Sequence, residues 1–410
     1  MINREKVKEI CNTITERIKN EQIGCFSNYD KPLFLISTQY PGIWLEHVYD
    51  SVFWAKMSPE YLDIAVNTIN LFIDNQLDNG QLPYNLLDEK RVNVKSKDEL
   101  IGYTHTQEVV SFARLALEVC QMKNDRAFYE KCYKAAMAWD SWLRKYRMTS
   151  GRGLVEMFYG WDTGHDNSGR LNGMKYRENL VIDGEAMNAS VMPTDDELLP
   201  ILAVDMSANL YSTDMAIAEF ADYLGDKENA AHYRGLAKEI KQKMFELLYD
   251  ENDAFFYDVD RSGNKRKFLS CTIFYLFYER VLDKEEDAEI IEKIYKKHIK
   301  NPDEFWTACP LPSMAVNDPS CEGHDNYNCW GYYSQALIAL RCTRWMDHYG
   351  FSSDFDYICE KWIEAWTDAY DDIKLAQELD PLTCKPTRSS EWYSSCMLFY
   401  LYASGRLGII

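Results

Sequence analysis

Apolar residues recur at three- and four-residue spacing along almost the whole of this chain. Leu62, Ala65, Ile69 and Phe72 form one such stripe, and Tyr233, Leu236, Ile240, Met244 and Leu247 form another. That period lines up side chains on one face of an α-helix, so the chain must bury helical stripes against one another. Further helices read at roughly 4–20, 105–122, 126–146, 207–224, 286–300, 332–348, 355–370 and 391–404. Strand signals are sparse: Ala254-Phe-Phe-Tyr-Asp258, after the turn-prone Asp250-Glu-Asn-Asp253, predicts one short hairpin. Helices follow one another with short connections and no Pro/Gly/Ser-rich linker, which predicts a single domain over residues 1–410. Roughly ten to twelve helices in 410 residues suit an all-α fold, the (α/α)6 barrel or toroid, in which six helical hairpins build an inner and an outer ring.

Charge excludes whole classes of partner. Asp and Glu outnumber Lys and Arg 65 to 45, a formal charge of −20, which a nucleic-acid duplex or an anionic membrane repels. No apolar run approaches the ~18 residues that span a bilayer. The first ten residues form a charged amphipathic helix start without the apolar stretch of a secretory signal. Twelve cysteines run from Cys11 to Cys396 without one C-x-x-C pair, so neither a zinc site nor a dithiol redox motif is expected. These features predict a cytoplasmic protein with reduced thiols, no metal and no cofactor. The aromatic content is high, 14%. Trp and Tyr faces in such numbers suit a cleft that stacks on sugar rings.

Two stretches, 148–206 and 301–331, lose the helical period and hold many Gly, Asn, Asp and Pro. Excursions of that length in a compact domain are commonly functional loops, and in a toroid they line one mouth of the ring. Tyr159-Gly-Trp-Asp-Thr-Gly-His-Asp-Asn-Ser-Gly-Arg170 packs two carboxylates, an indole and a histidine into twelve residues. One reading is a sugar site with Asp162 or Asp166 as proton donor beside Trp161; the other is an ordinary turn-rich loop. Gln377-Glu-Leu-Asp-Pro381 supplies Glu378 and Asp380 from a distant part of the chain, either as a second carboxylate loop or as a helix end stopped by proline. Inverting hydrolysis of a glycoside needs such a pair, an acid for the leaving oxygen and a base for water on the opposite face. Trp44, His47, Asp50 and Trp54 fall at helical steps, a polar-aromatic face that fits sugar hydroxyls or a core face equally well. No Walker loop, dinucleotide fingerprint or H-E-x-x-H occurs.

Taken in order, these motifs resemble glycoside hydrolase family 63, particularly its mannosylglycerate-hydrolase-like members, and more distantly the trehalases of family 37. Trp44 to Phe53 is similar to the family's early Trp-Asp-x-x-Phe helix, and Gln76-Leu-Asp-Asn-Gly-Gln-Leu-Pro83 to its Q-x-x-x-G-x-x-P turn. Thr163-Gly-His-Asp-Asn-Ser-Gly-Arg170 resembles the S-G-x-D-N-S-P-R segment of the catalytic acid. Leu311-Pro-Ser313, Asn326-Tyr327 and Trp330-Gly331 resemble a stretch that lines the sugar site, and Asp380-Pro-Leu-Thr383 with Ser389 and Trp392 the D-P-x-T-G…S-W segment beside the base.

The resemblance implies an (α/α)6 barrel that hydrolyses a small α-linked glucoside or mannoside with inversion. It implies Asp166 as acid and Trp44, His47, Asp50, Gln107, Trp161, Asp162, His165, Asn167, Arg170, Tyr327, Trp330, Gly331, Gln377 and Trp392 as substrate contacts. The family's base stands four residues before the proline, where this chain has Gln377; Glu378, one residue on, is the expected base. Two other readings stand beside it: a sugar-binding protein without turnover, and a sugar epimerase working through histidines such as His47, His105, His165 and His324.

Overall fold

Among the described residues twelve α-helices carry the apolar stripes, and they alternate between two kinds of burial. The computed structural model describes residues 2–410 apart from 95, 108, 177–180, 183, 184, 187, 322–329, 388 and 389. The helices are α1 (Arg4–Arg17), α2 (Val48–Met57), α3 (Leu62–Asp74), α4 (Phe112–Lys123), α5 (Arg126–Tyr146) and α6 (Val204–Leu224). They continue with α7 (Lys227–Leu247), α8 (Thr272–Tyr278), α9 (Ala288–Ile294), α10 (Ala336–Arg341), α11 (Ser352–Ala369) and α12 (Ser394–Arg406). Every residue of α8 and α10 is buried, and nearly every residue of α2 and α12. Helices apolar on all sides belong inside a protein. By contrast α5, α7 and α11 bury one stripe and expose the other face.

Even-numbered helices therefore form the inner ring and odd-numbered ones the outer, the (α/α)6 toroid expected. Inner neighbours touch in sequence, α2 with α4, α4 with α6, α6 with α8, α10 with α12, and α12 closes on α2. Caps mark several starts: the side chains of Asn3, Ser111, Asp125 and Asp226 accept backbone N–H groups of the first turns of α1, α4, α5 and α7.

Strand content exceeds the one hairpin read from sequence. That hairpin is present, pairing Tyr249–Asp250 with Phe255–Phe256. Beyond it, Gly42–Trp44, Asn85–Leu87 and Ile101–Gly102 form a three-stranded sheet. Glu156–Met157, Ile201–Leu202, Asp258–Val259 and Lys265–Arg266 form one of four strands. Ser334–Gln335 pairs with Glu378–Leu379. Most of these strands are two or three residues long, too short for a period-two pattern to register in sequence. They tie inter-helix loops to one another, and so stiffen the mouth at which the inner helices begin. Among the described residues no helix is long and apolar enough to cross a membrane.

Candidate active site

A cavity of about 370 Å³ opens at that mouth. Its walls are largely aromatic: Tyr40, Trp44, Tyr84, Trp161, Trp330 and Tyr393, with His47 and His105. Its polar groups are Glu46, Asn85, Gln107, Asp166 and Gln377, and Gly164 completes the lining.

Short strands and turns aim these side chains. Trp44 ends a strand and lies opposite Asn85, which lies opposite Gly102. A Cβ on Gly102 would come within 2.3 Å of both Asn85 Oδ1 and Tyr84 Cε1, so only glycine lets these two lining residues sit where they do. The Tyr84 ring stacks on His105 with centroids 3.7 Å apart. Gly164 has φ +67, and a Cβ there would stand 2.3 Å from Val109 Cγ2. It precedes by two residues Asp166, which is half-buried on the cavity wall.

Burial dominates the electrostatics. It pushes the Glu46 carboxyl up to about 7, although Arg341 opposes the shift by donating from Nη2 to Glu46 Oε1 at 2.8 Å. Burial also pushes His47 and His105 down to about 3, so both rings are neutral. His47 Nε2 shares a hydrogen bond with the Tyr393 hydroxyl. Gln107 and Trp161 line the cavity, and among the described residues their buried Oε1 and Nε1 atoms have no hydrogen-bond partner.

Of the residues singled out in the sequence, the fold brings Trp44, His47, Gln107, Trp161, Asp166, Trp330 and Gln377 together around this cavity. Gly331 is buried beside Trp330, and Asn167 is half-buried next to Asp166; neither belongs to the lining. Tyr327 and His324 lie outside the described residues.

Several expectations need correction. Glu378 does not reach the cavity: it is fully buried, its Oε1 accepts from Gln335 Nε2 at 2.8 Å and its Oε2 from the Thr387 hydroxyl at 3.2 Å. The segment is extended instead of a helix end, so neighbouring side chains point to opposite sides, and Gln377 holds the cavity side.

Asp162 is also buried, clasped by Arg147 at 2.6 and 2.8 Å and by the Phe158, Tyr159 and Thr106 amides. Burial alone would raise its pKa, but Arg147 and these donors hold it below the usual range. Arg170 is locked between Asp205 and Asp258, with Nη2 at 2.9 Å from each carboxylate. His165, wholly buried, bonds to the Tyr275 hydroxyl at 2.9 Å and packs under Trp330.

Asp50 accepts the Ser394 and Ser395 hydroxyls and so ties α2 to α12 instead of facing sugar. Trp392 lies under the Arg17 guanidinium, 4.6 Å from its ring centre, and it is the following Tyr393 that lines the cavity. The supposed helical face fails at its first member: Trp44 is in a strand and residues Leu45–His47 form a 3-10 turn. That turn carries Glu46 into the cavity. Tyr40, Glu46, Tyr84, Asn85 and Tyr393 were not legible as site residues, because no motif surrounds them and their directions depend on sheet and turn geometry.

Sequence comparison decides the family. The family model described as the mannosylglycerate hydrolase MGH1-like glycoside hydrolase domain matches residues 45–330, most of the chain. The chain belongs to this glycoside hydrolase family. The resemblance to family 63 is thereby borne out.

The family's fold recurs in solved structures. A family 63 mannosylglycerate hydrolase from Thermus thermophilus, in complex with Tris, superposes with a TM-score of 0.73 at 15% identity, covering 96% of this chain and 99% of that one. Neutral trehalase Nth1 from Saccharomyces cerevisiae gives 0.66 at 13% identity, covering 97% and 80%. In sequence, a probable trehalase from Eremothecium gossypii is 24% identical over 186 residues, 42% of this chain and 24% of that protein. The match thus spans about a quarter of the length of such curated relatives.

Proposed function

We propose that this member of the family binds a small α-linked glucoside or mannoside in the aromatic cavity and hydrolyses it with inversion. One observation carries the reading: Asp166 and Glu46, two carboxyl groups from distant parts of the chain, line the same aromatic-walled cavity. In the proposed reaction Asp166 donates its proton to the glycosidic oxygen as the bond from that oxygen to the anomeric carbon breaks. A water molecule bonds to that carbon from the opposite face and gives its proton to Glu46. The raised pKa of Glu46 suits it to this role, since a base works best when its pKa lies near the working pH. The aromatic faces hold the ring, and Gln107 and Asn85 bond its hydroxyls. Neutral histidines held near 3 are weak bases, which disfavours an epimerase.

The amide of Gln377 favours a second reading, a sugar-binding protein without turnover, because an amide at the cavity wall cannot take a proton from water. Incubation with aryl α-glucoside and α-mannoside separates the two. Release of the aryl alcohol with the β sugar appearing first by NMR supports inverting hydrolysis. The α anomer appearing first rejects inversion, and saturable binding without release establishes the second reading.

A further inference from the structure

Cys309 and Cys384, far apart in the sequence, meet at the turn that follows Gln377. After strand Glu378–Leu379 the chain folds back on itself. The Cys384 N–H donates to the Asp380 carbonyl at 2.9 Å, the Asp380 N–H donates to the Lys385 carbonyl at 2.8 Å, and Leu379 pairs with Pro386. The Cys309 N–H donates to the Pro381 carbonyl at 2.9 Å, which docks its loop against this turn. The Thr307 and Ser334 hydroxyls both donate to the Cys309 carbonyl, each at 2.7 Å, and fix that backbone. With both backbones held, the Cys309 S–H donates to the Cys384 sulfur.

The two thiols differ in exposure. Cys309 is fully buried, whereas Cys384 is half-buried between the exposed residues Thr383 and Lys385. The hydrogen bond from Cys309 holds the Cys384 thiol below its usual range, and burial pushes Cys309 well above it. Cys384 is therefore the nucleophile, and Cys309 the thiol that resolves what it forms. Cys384 also has φ +57, a conformation that glycine adopts freely and cysteine rarely does. The side chain held in this strained place is a thiol in contact with another thiol. Cys120 on α4 and Cys132 on α5 are also in hydrogen-bond contact, but both are buried.

We infer that Cys309 and Cys384 form a reversible disulfide, with a low-molecular-weight disulfide as oxidant, that clamps the stretch of wall between Gln377 and Tyr393. The Cys384 thiolate attacks one sulfur of the oxidant; a mixed disulfide forms, and half of the oxidant leaves as a thiol. Cys309 then gives up its proton and attacks the Cys384 sulfur. The other half of the oxidant leaves with the electron pair and takes up that proton. The protein loses two electrons and two protons, and the oxidant gains both as two thiols. A dithiol reverses the sequence and ends as its own disulfide. Gln377 precedes the clamped turn and Tyr393 follows it, so the bridge secures two residues that line the cavity. The clamp does not depend on the reading proposed for that cavity.

Treatment of the reduced full chain with hydroxyethyl disulfide, followed by mass mapping of non-reduced peptides, tests the pairing. The peptide holding Cys309 appears joined to the one holding Cys384, lighter than their sum by two hydrogens, while Cys120 and Cys132 stay thiols. The bridge raises Tm by about 2–5 °C, and dithiothreitol returns it to the starting value. Cys384→Gly, which suits the local backbone, shows neither the joined peptide nor the shift. Thiols left unreacted, a mixed disulfide that persists at Cys384, or Cys309 joined to another cysteine overturns the inference. So does a Cys120–Cys132 bridge that forms first, or a Cys309–Cys384 bridge that leaves Tm unchanged. Should Cys384→Gly not fold, the peptide map of the parent chain decides by itself.

Discussion

Gln377 and Glu378 are consecutive residues that face opposite sides of one extended segment, the amide into the aromatic cavity and the carboxylate into the barrel wall. Glu378 lies directly across from Gln335, whose amide it accepts, in the two-residue strand pair that precedes α10. This geometry separates the base position expected in the family from the carboxylate expected to fill it.

Replacing the two residues therefore has opposite consequences. Glu378→Gln keeps the shape of the buried pair and leaves turnover within about a factor of two of the parent, with a modest loss of stability. Gln377→Glu places a carboxylate on the cavity wall at the family's base position and restores hydrolysis of aryl α-glycosides in a Glu46→Gln background. Steady-state kinetics on both variants checks this, and abolition of turnover by Glu378→Gln would return Glu378 to the base role.

Asp166→Asn is expected to lower kcat by roughly 10²–10⁴-fold on substrates with poor leaving groups, and much less on activated aryl glycosides. The comparison needs a series of leaving groups on one sugar. Equal loss across the series removes Asp166 from proton donation.

The buried Glu46 carboxyl predicts a pH dependence of stability, and in the proposed base role one of activity, each with a definite sign. Its folded-state pKa of about 7 lies above the ordinary 4.5, so the folded protein keeps a proton that the unfolded chain has released. Its contribution to stability accordingly falls as pH rises from about 4.5 to 7. Activity moves the other way, because the base must be ionised: kcat/KM rises with an apparent pKa near 7. Glu46→Gln removes the activity and flattens that part of the stability profile. A parent rate profile without a limb near that pH would exclude Glu46 as base.

Asp162 belongs to the framework, and its loss should be read in stability. Asp162→Ala strands the Arg147 guanidinium in a fully buried place, which costs about 3–5 kcal/mol. Urea unfolding measures it. A variant as stable as the parent but catalytically dead would restore Asp162 to the chemistry.

The sequence by itself determined the toroid, the helical tracts, the family and the loop that carries Asp166. Helical period is a local property that repeats over many residues, and the order of motifs along 410 residues is readable without coordinates. Tertiary structure alone decided which polar residues face the cavity. Asp162, Asp166 and Arg170 share one glycine-rich loop, yet only Asp166 reaches the cavity wall. The others are drawn inward by partners that proximity in sequence does not reveal: Arg147 at the end of α5, Asp205 in α6 and Asp258 in a strand. A loop without a period has no rule for side-chain direction. Gln377 and Glu378 differ by one residue in register, and in an extended chain one residue is the difference between the cavity and the core.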